Sequence, residues 1–258
     1  MRLLCLALLL MLAVGCAKRG RERVLPGADE AWQKSQALFN RGRYYQAQQL
    51  LKDFVLNYSG STVIDSAQFF LGRTSFELED YATATEEFKR VVSNYPFSKL
   101  VGDAAYYEAR CYYEQAPGYQ LDQTRTSEAL DAFQRFLEEY PGHALKDTAY
   151  MYIGQCRDKL SHKEYAAAQL YHTLNEYASA VLYCDDILSN YYDTQWADPS
   201  QFLKARCFDA LKDYTRARQE YQTYLDKYPQ GNHADSARRA LRGLSRPASA
   251  QNSASPTR

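Results

Sequence analysis

The stretch EEFKRVVSNYP, residues 86–96, returns in altered form as DAFQRFLEEYP at 131–141 and as QEYQTYLDKYP at 219–229. In each copy an aromatic residue is followed three places later by a second apolar residue, so that both lie on one face of a helix. Each copy ends in Tyr-Pro. Proline cannot continue a helix, and it biases the residue before it toward extended geometry. The stretch therefore predicts the last turns of a helix and its end, three times in one chain.

Alignment of the three copies reveals a longer repeat. Ala84, Ala129 and Ala217 hold the same place in the three copies, and Ala47 and Ala180 hold it in two weaker ones. A tyrosine follows each alanine at a constant distance: Tyr58, Tyr95, Tyr140, Tyr191 and Tyr228. In the second copy Gly72, Tyr81, Ala84, Phe88 and Pro96 fall at the spacings of the tetratricopeptide repeat. One such hairpin cannot bury its apolar face alone, so the pattern predicts stacked copies that share a core.

The predicted fold is an all-α solenoid of five tetratricopeptide-like hairpins. Residues 117–127 predict an extended loop inside the third hairpin. Ala149, Tyr152 and Cys156 form an apolar helical face that predicts one extra helix before repeat four, ending near Leu160, with the next helix beginning around Glu164. Residues 234–244 predict a C-terminal capping helix.

The first sixteen residues, MRLLCLALLLMLAVGC, differ from the rest of the chain. The apolar run from Leu3 to Val14 would span about 18 Å as a helix, which is too short for a hydrocarbon core of about 30 Å. It therefore predicts a signal peptide. Its end is similar to the lipobox of bacterial lipoproteins, with Cys16 as the lipidated residue, although an ordinary secretory signal with an incidental cysteine is the alternative. The predicted domains are a signal peptide at 1–15, a lipidated tether at 16–27, the repeat domain at 28–244 and a disordered tail at 245–258.

Charge and motif content exclude several classes of function. The chain carries 31 basic and 31 acidic side chains, which argues against nucleic-acid binding. Its histidines are scattered, and it contains no metal-ligand, phosphate-loop or nucleophile motif. We therefore expect no enzyme activity, no metal and no cofactor. Cys111, Cys156, Cys184 and Cys207 lie in apolar helical contexts that favour buried free thiols, although an oxidising compartment would permit disulfides.

Taken together, the lipobox, the order of the repeats and the added helix resemble the BamD (YfiO) family. The most specific stretches are DKLSHKEYAAAQLYHTLNEYASAV at 158–181 and ALDAFQRFLEEYPGHALKDTA at 129–149. The resemblance implies a non-catalytic scaffold at the periplasmic face of the outer membrane. It would bind the POTRA domains of a BamA-type barrel protein, join other assembly lipoproteins and contact unfolded barrel precursors. Another kind of periplasmic repeat lipoprotein, such as a secretin pilotin or a cell-wall coordination factor, is the alternative.

A helical-repeat array exposes a surface built from the first helix of each repeat, and this is where we expect recognition. In repeats one and two the predicted groove residues are Trp32, Gln36, Phe39, Phe69, Arg73 and Phe76; the shift that carries Phe69 to Tyr107 also carries Phe76 to Glu114. Aromatic residues with an arginine suit an extended peptide that ends in an aromatic residue and a free carboxylate. The alternative is that Trp32, Phe69 and Phe76 pack the core between repeats.

By the same resemblance, the side that docks a POTRA domain is formed by repeats four and five. The positions this implies are Tyr177, Tyr183, Phe202 and Tyr214. Tyr183 stands where family members carry an arginine, so a salt bridge is not expected at that point.

Overall fold

The computed structural model describes residues 27–245, and every regular element in that range is an α-helix. The predicted all-α fold is therefore confirmed. The predicted signal peptide, Cys16, nearly all of the tether and nearly all of the tail lie outside the described residues. The helices, numbered along the chain, are α1 (Ala28–Asn40), α2 (Tyr44–Asn57), α3 (Ile64–Glu77), α4 (Tyr81–Asn94), α5 (Val101–Gln115), α6 (Thr124–Glu139), α7 (Lys146–Thr173), α8 (Tyr177–Asn190), α9 (Ala197–Ala210), α10 (Tyr214–Lys227) and α11 (Ala234–Leu244).

The helices pair in chain order into five hairpins, α1–α2 to α9–α10, and α11 packs against α10 as the predicted cap. Each helix contacts the helices before and after it. The first helices of neighbouring hairpins also touch one another, α3 with α5, α5 with α7 and α7 with α9. No comparably strong contact joins the second helices of the described hairpins, so the first helices line the inner side of the array.

Small residues bring the two helices of each hairpin close together. The five alanines of the repeat, Ala47, Ala84, Ala129, Ala180 and Ala217, are all fully buried. In the second hairpin a Cβ atom added at Gly72 would lie 2.8 Å from the ring of Phe88, so the missing side chain is what lets that ring reach the facing helix. The repeat register derived from the sequence is therefore the register of the core.

The tyrosine of each repeat closes the second helix, as the sequence predicts. Tyr58, Tyr95, Tyr140, Tyr191 and Tyr228 are the residues directly after α2, α4, α6, α8 and α10. Their φ angles lie between −130° and −125°, outside the helical range. In each case the tyrosine carbonyl accepts a hydrogen bond from the backbone N–H three residues later, which turns the chain into the next hairpin.

Four of the hairpins share a left-handed residue in the turn between their helices. Gly42, Glu79, Asn175 and Lys212 have φ angles of 70°, 59°, 64° and 61°. The third hairpin replaces this turn with a longer segment, residues 116–123, in which Gln123 is buried and donates to the carbonyls of Gly118 and Leu121. The helix that follows begins at Thr124, inside the segment that the sequence predicted as loop.

The extra helix before repeat four is not a separate element. Residues 146–173 form one continuous helix, α7, of 28 residues. Its first half packs Ala149 and Cys156 against the core around α6, and its second half packs Ala168 against the core around α8. The prediction that a helix ends near Leu160 and another begins around Glu164 is wrong, because no proline or glycine separates the two halves.

We predict opposite effects for two glycine-to-alanine changes inside helices. Gly72→Ala should lower the free energy of unfolding by about 1–3 kcal/mol, because the new methyl group overlaps Phe88. Gly154→Ala in α7 meets no atom within 4 Å and should raise it by about 0.5–1 kcal/mol through helix propensity. Chemical denaturation of both variants measures the difference. Equal effects would contradict the close packing at Gly72.

Candidate recognition surfaces

Arg73 in α3 lies between aromatic rings from the two neighbouring first helices. Its guanidinium carbon is 4.3 Å from the ring centroid of Tyr107 in α5 and 5.8 Å from that of Phe39 in α1. Its Nη2 donates to Glu77 Oε1 at 3.0 Å, one turn further along α3. The arginine is therefore oriented by two rings and one carboxylate.

Arg110 in α5 repeats this arrangement one hairpin later. Its guanidinium carbon is 5.6 Å from the ring centroid of Phe76 and 4.4 Å from that of Tyr152 in α7. It donates a hydrogen bond to Glu114. Burial is the largest single effect on Arg110 and lowers its pKa, but the hydrogen bonds to Glu114 and Tyr106 and the charges of Tyr152 and Glu114 together outweigh it. The pKa is therefore raised, and the side chain remains charged.

The two arrangements join into one surface. The Phe76 and Tyr107 rings meet edge to face with their centroids 5.5 Å apart, which links the Arg73 group to the Arg110 group. We call this surface the arginine–aromatic ladder; its members are Phe39, Arg73, Phe76, Tyr107, Arg110 and Tyr152. It crosses α1, α3, α5 and the start of α7 on the inner side of the array.

The structure corrects the sequence alignment of this surface by one residue. Arg73 and Glu77 correspond to Arg110 and Glu114, whereas the sequence analysis matched Phe76 with Glu114. Arg110 was missed for this reason, whereas Tyr152 was predicted as part of the apolar face of the extra helix and not as a groove residue. The signal that identifies Arg110 was present, since an arginine with a glutamate four residues later occurs in both α3 and α5.

Two of the predicted groove residues belong largely to the core. Phe69 is 5% exposed and packs its ring against Phe88 and Tyr107. Trp32 is half-buried against Phe54 and Phe70. Gln36 is half-buried in α1. Phe39, Arg73, Phe76, Tyr107 and Glu114 are the predicted residues that come together on the inner face.

One polar atom of each ladder arginine lacks an acceptor. The Nε groups of Arg73 and Arg110 are buried and have no hydrogen-bond partner in the structure of residues 27–245. Leaving a buried donor unpaired costs about 1–3 kcal/mol. Each guanidinium is thus held in place by its rings and its glutamate while one of its donors remains unsatisfied.

The four residues predicted for partner docking do not share one surface. The Tyr177 ring contacts His172, and the Phe202 ring stacks on His233 with centroids 4.5 Å apart. Both line clefts on the inner side. Tyr183 and Tyr214 do not line these clefts: Tyr183 stacks on Tyr171, and Tyr214, at the start of α10, is 46% exposed.

The larger of the two clefts has a volume of about 510 Å³ and lies between the end of α7, α9 and the start of α11. Tyr165 and His172 form one wall, Phe202 and Arg206 form the other, and His233 closes one end. A second cleft of about 360 Å³ shares His172 and Arg206 with it. Arg206 is not among the residues predicted from the sequence.

The described residues contain no cluster of three or more His, Cys, Asp or Glu side chains that could hold a metal ion. Within the same range, no helix combines the length and the apolar character needed to cross a bilayer. Cys111, Cys156, Cys184 and Cys207 are buried free thiols. Burial raises the pKa of Cys111 and of Cys156 to about 12, so their reactive thiolate forms are strongly disfavoured at neutral pH.

Comparison with protein families gives two matches. The model of the family described as YfiO, outer membrane lipoprotein, matches residues 27–211, which is more than half of the chain. A tetratricopeptide-repeat model matches residues 200–231. Among curated proteins, the outer membrane protein assembly factor BamD of Caulobacter vibrioides is 26% identical over 132 residues. The aligned segment covers 51% of this chain and 43% of that relative, so the chain spans less than half of its length.

Solved structures with similar helical arrays include MamA from Desulfovibrio magneticus RS-1, which is 14% identical at a TM-score of 0.40 over 80% of this chain and 97% of that one. TTC0263, a repeat protein of Thermus thermophilus, is 16% identical at a TM-score of 0.38 over 84% of this chain and 98% of that one.

Proposed function

The chain belongs to the YfiO family of outer membrane lipoproteins, and from that premise we propose that it is a non-catalytic scaffold in the assembly of outer-membrane β-barrel proteins. In this proposal residues 1–15 are removed and lipid on Cys16 anchors the protein to the periplasmic face of the outer membrane. The inner face of the first three hairpins contacts unfolded barrel precursors. The C-terminal hairpins dock the POTRA domains of a BamA-type partner, and other assembly lipoproteins join the complex.

The arginine–aromatic ladder is the observation that carries this proposal. Guanidinium groups stacked on rings present both apolar surface and hydrogen-bond donors along one face. An extended polypeptide offers the complementary groups, which are backbone carbonyls, aromatic side chains and a terminal carboxylate. The unpaired Nε groups of Arg73 and Arg110 favour recognition, since turning either guanidinium toward a bound acceptor gains a hydrogen bond that the free protein lacks.

Glu77 and Glu114 limit how strongly the ladder attracts a carboxylate. Each already pairs with its arginine, so the ladder is close to neutral overall. A bound carboxylate would share the guanidinium with the glutamate. The ring faces of Phe39, Phe76 and Tyr107 would then supply most of the affinity.

Exposed apolar side chains support the docking role of the C-terminal hairpins. Leu182 in α8 is 70% exposed, and Leu211 and Tyr214, at the turn between α9 and α10, are 44% and 46% exposed. Apolar side chains that remain exposed in a folded domain are available to a protein partner. Tyr214 is itself a member of the docking set predicted from the sequence, and the other members, Tyr177, Tyr183 and Phe202, lie on α8 and α9.

The identity of the proposed partner protein is tested by affinity purification. A C-terminally tagged full-length protein, extracted from envelopes in mild detergent, should recover a barrel protein with POTRA domains together with further lipoproteins. Tagged Leu182→Glu should recover less of it, since a charge replaces exposed apolar surface. Tagged Leu56→Glu, a change at an 80% exposed leucine of α2, is the matched control. Recovery of a secretin or a cell-wall synthase in place of the barrel protein would contradict the proposed function.

Precursor recognition is tested with a labelled peptide that ends in a phenylalanine carboxylate. Arg73→Gln should weaken binding about tenfold, which corresponds to the loss of about 1.4 kcal/mol from a charged hydrogen bond and ring contact. Fluorescence anisotropy measures the dissociation constants.

Arg125→Gln is the control, because Arg125 also pairs with a glutamate and contacts a tyrosine ring but lies on the second helix α6. We expect its affinity for the peptide to be unchanged. An equal loss of affinity in both variants would contradict the proposal that the arginine–aromatic ladder binds precursors. Equal binding of the carboxylate and amide forms of the peptide would contradict it as well.

Lipid anchoring is tested at Cys16. Cys16→Ser leaves no site for the acyl chains, whose burial at about 0.8 kcal/mol per methylene provides the anchor. We expect this variant to move from the membrane fraction to the soluble periplasmic fraction. If the variant remains in the membrane fraction, something other than lipid on Cys16 holds the protein at the membrane.

A further inference from the structure

The arginines of the first helices follow a rule with one exception. The first helices of the five hairpins contain four arginines, Arg73, Arg110, Arg157 and Arg206. The first three each pair with a carboxylate, from Glu77, Glu114 and Asp193. Arg206 in α9 is exposed and makes neither an ion pair nor a hydrogen bond with any residue in the range 27–245. Its neighbour Lys204, by contrast, pairs with Asp185 at 2.9 Å and with Glu220 at 2.8 Å.

Arg206 also lies at the point where two clefts of the C-terminal half adjoin. It lines both adjoining clefts of the C-terminal half, which lie between α7 and α9 and share His172. Aromatic groups flank it, since Tyr165 and the stacked pair of Phe202 and His233 line the larger cleft. The two clefts adjoin at His172 and Arg206, which line both of them.

The two carboxylates of α9, Asp198 and Asp209, do not neutralise Arg206. Asp209 lines the smaller cleft but forms no ion pair with Arg206. Asp198, at the start of α9, is occupied by the hydroxyl of Tyr224, which donates to it at 2.8 Å. The side chain of Arg206 therefore presents a free guanidinium fork to whatever enters the cleft.

From this arrangement we propose that the larger cleft, which we call the C-terminal cleft, is a second recognition site, which binds the carboxylate of a glutamate or aspartate side chain in an extended segment of a partner protein. The Arg206 fork holds the carboxylate, and the rings of Tyr165 and Phe202 cover the neighbouring apolar part of the segment. This site is distinct from the arginine–aromatic ladder. It shares Phe202 and, through the adjoining cleft, Tyr177 with the proposed docking set, so the inference rests on the docking role proposed for the C-terminal hairpins.

The charge of the cleft favours a carboxylate over a phosphate. Burial lowers the pKa of His172, and the neighbouring Arg206 lowers it further, so His172 is neutral at neutral pH. In the larger cleft, whose lining contains no carboxylate, Arg206 then supplies one positive charge, which matches the single negative charge of a carboxylate. A phosphate group carries close to two negative charges at this pH and is usually held by several cations.

The test uses purified full-length lipoprotein in detergent and a capped peptide, acetyl-Gly-Ser-Tyr-Glu-Ser-Gly-amide, whose glutamate is its only carboxylate. Saturation-transfer NMR detects weak binding and gives a dissociation constant by titration. We expect the peptide to bind saturably and its glutamine counterpart to bind at least about tenfold more weakly, the effect of losing one charged hydrogen bond. Equal binding of the two peptides would overturn the proposal.

Variants then locate the site. Arg206→Gln should weaken binding of the glutamate peptide by about tenfold or more. Arg135→Gln, at an arginine of α6 that is also exposed and unpaired within the described residues, should leave it unchanged. Loss of binding in Arg73→Gln with no loss in Arg206→Gln would place the peptide on the ladder and refute the second site. Circular dichroism and Tm confirm that each variant is folded.

Competition distinguishes the chemistry of the ligand. Acetate should displace the glutamate peptide more effectively than inorganic phosphate at equal concentration. Stronger displacement by phosphate would show that the cleft is an anion site for phosphate groups, such as those of lipid headgroups, and would overturn the assignment to a protein carboxylate.

Discussion

The close approach of paired helices at a single small residue is the contact on which the rest of the structure depends. Each second helix places a fully buried alanine against its partner, and in the second hairpin Gly72 removes even the Cβ atom so that the ring of Phe88 can enter. A hairpin this thin cannot enclose its own apolar side chains. The aromatic residues around the alanine are therefore buried by the next hairpin, and the array is stable only as a stack.

The stacking of hairpins also determines which arginine side chains are held by neighbouring rings. The first helices lie next to one another on the inner side, so an arginine on one helix comes within reach of rings on the two beside it. Arg73 and Arg110 are held in this way, each with a glutamate one turn away. Arg206 occupies a first helix too, but no glutamate follows it one turn later, and its guanidinium remains available. The presence or absence of this one glutamate thus separates a surface of paired, nearly neutral arginines from a cleft with an unpaired cation.

The continuous helix α7 divides the array into these two regions. Its first half completes the core of the third hairpin and contributes Tyr152 to the arginine–aromatic ladder. Its second half completes the core of the fourth hairpin and contributes His172 to the C-terminal cleft. Because one continuous helix carries both parts, the spacing between the two surfaces is set by the stretch of α7 from Tyr152 to His172, which is about 30 Å long.

The sequence by itself determined the helical class, the five repeats, their closing tyrosines and the capping helix, because these follow from local rules: apolar periodicity, a small residue at a fixed place and proline as a stop. It also indicated the family. Only the tertiary structure decided that two predicted helices are one and that Arg110 faces the inner side. Tertiary contacts likewise put Phe69 in the core and left Arg206 without a partner among the described residues. These features depend on which side chains meet between hairpins, and a shift of one residue turns a helical side chain by about 100°, which no local pattern in a single sequence resolves.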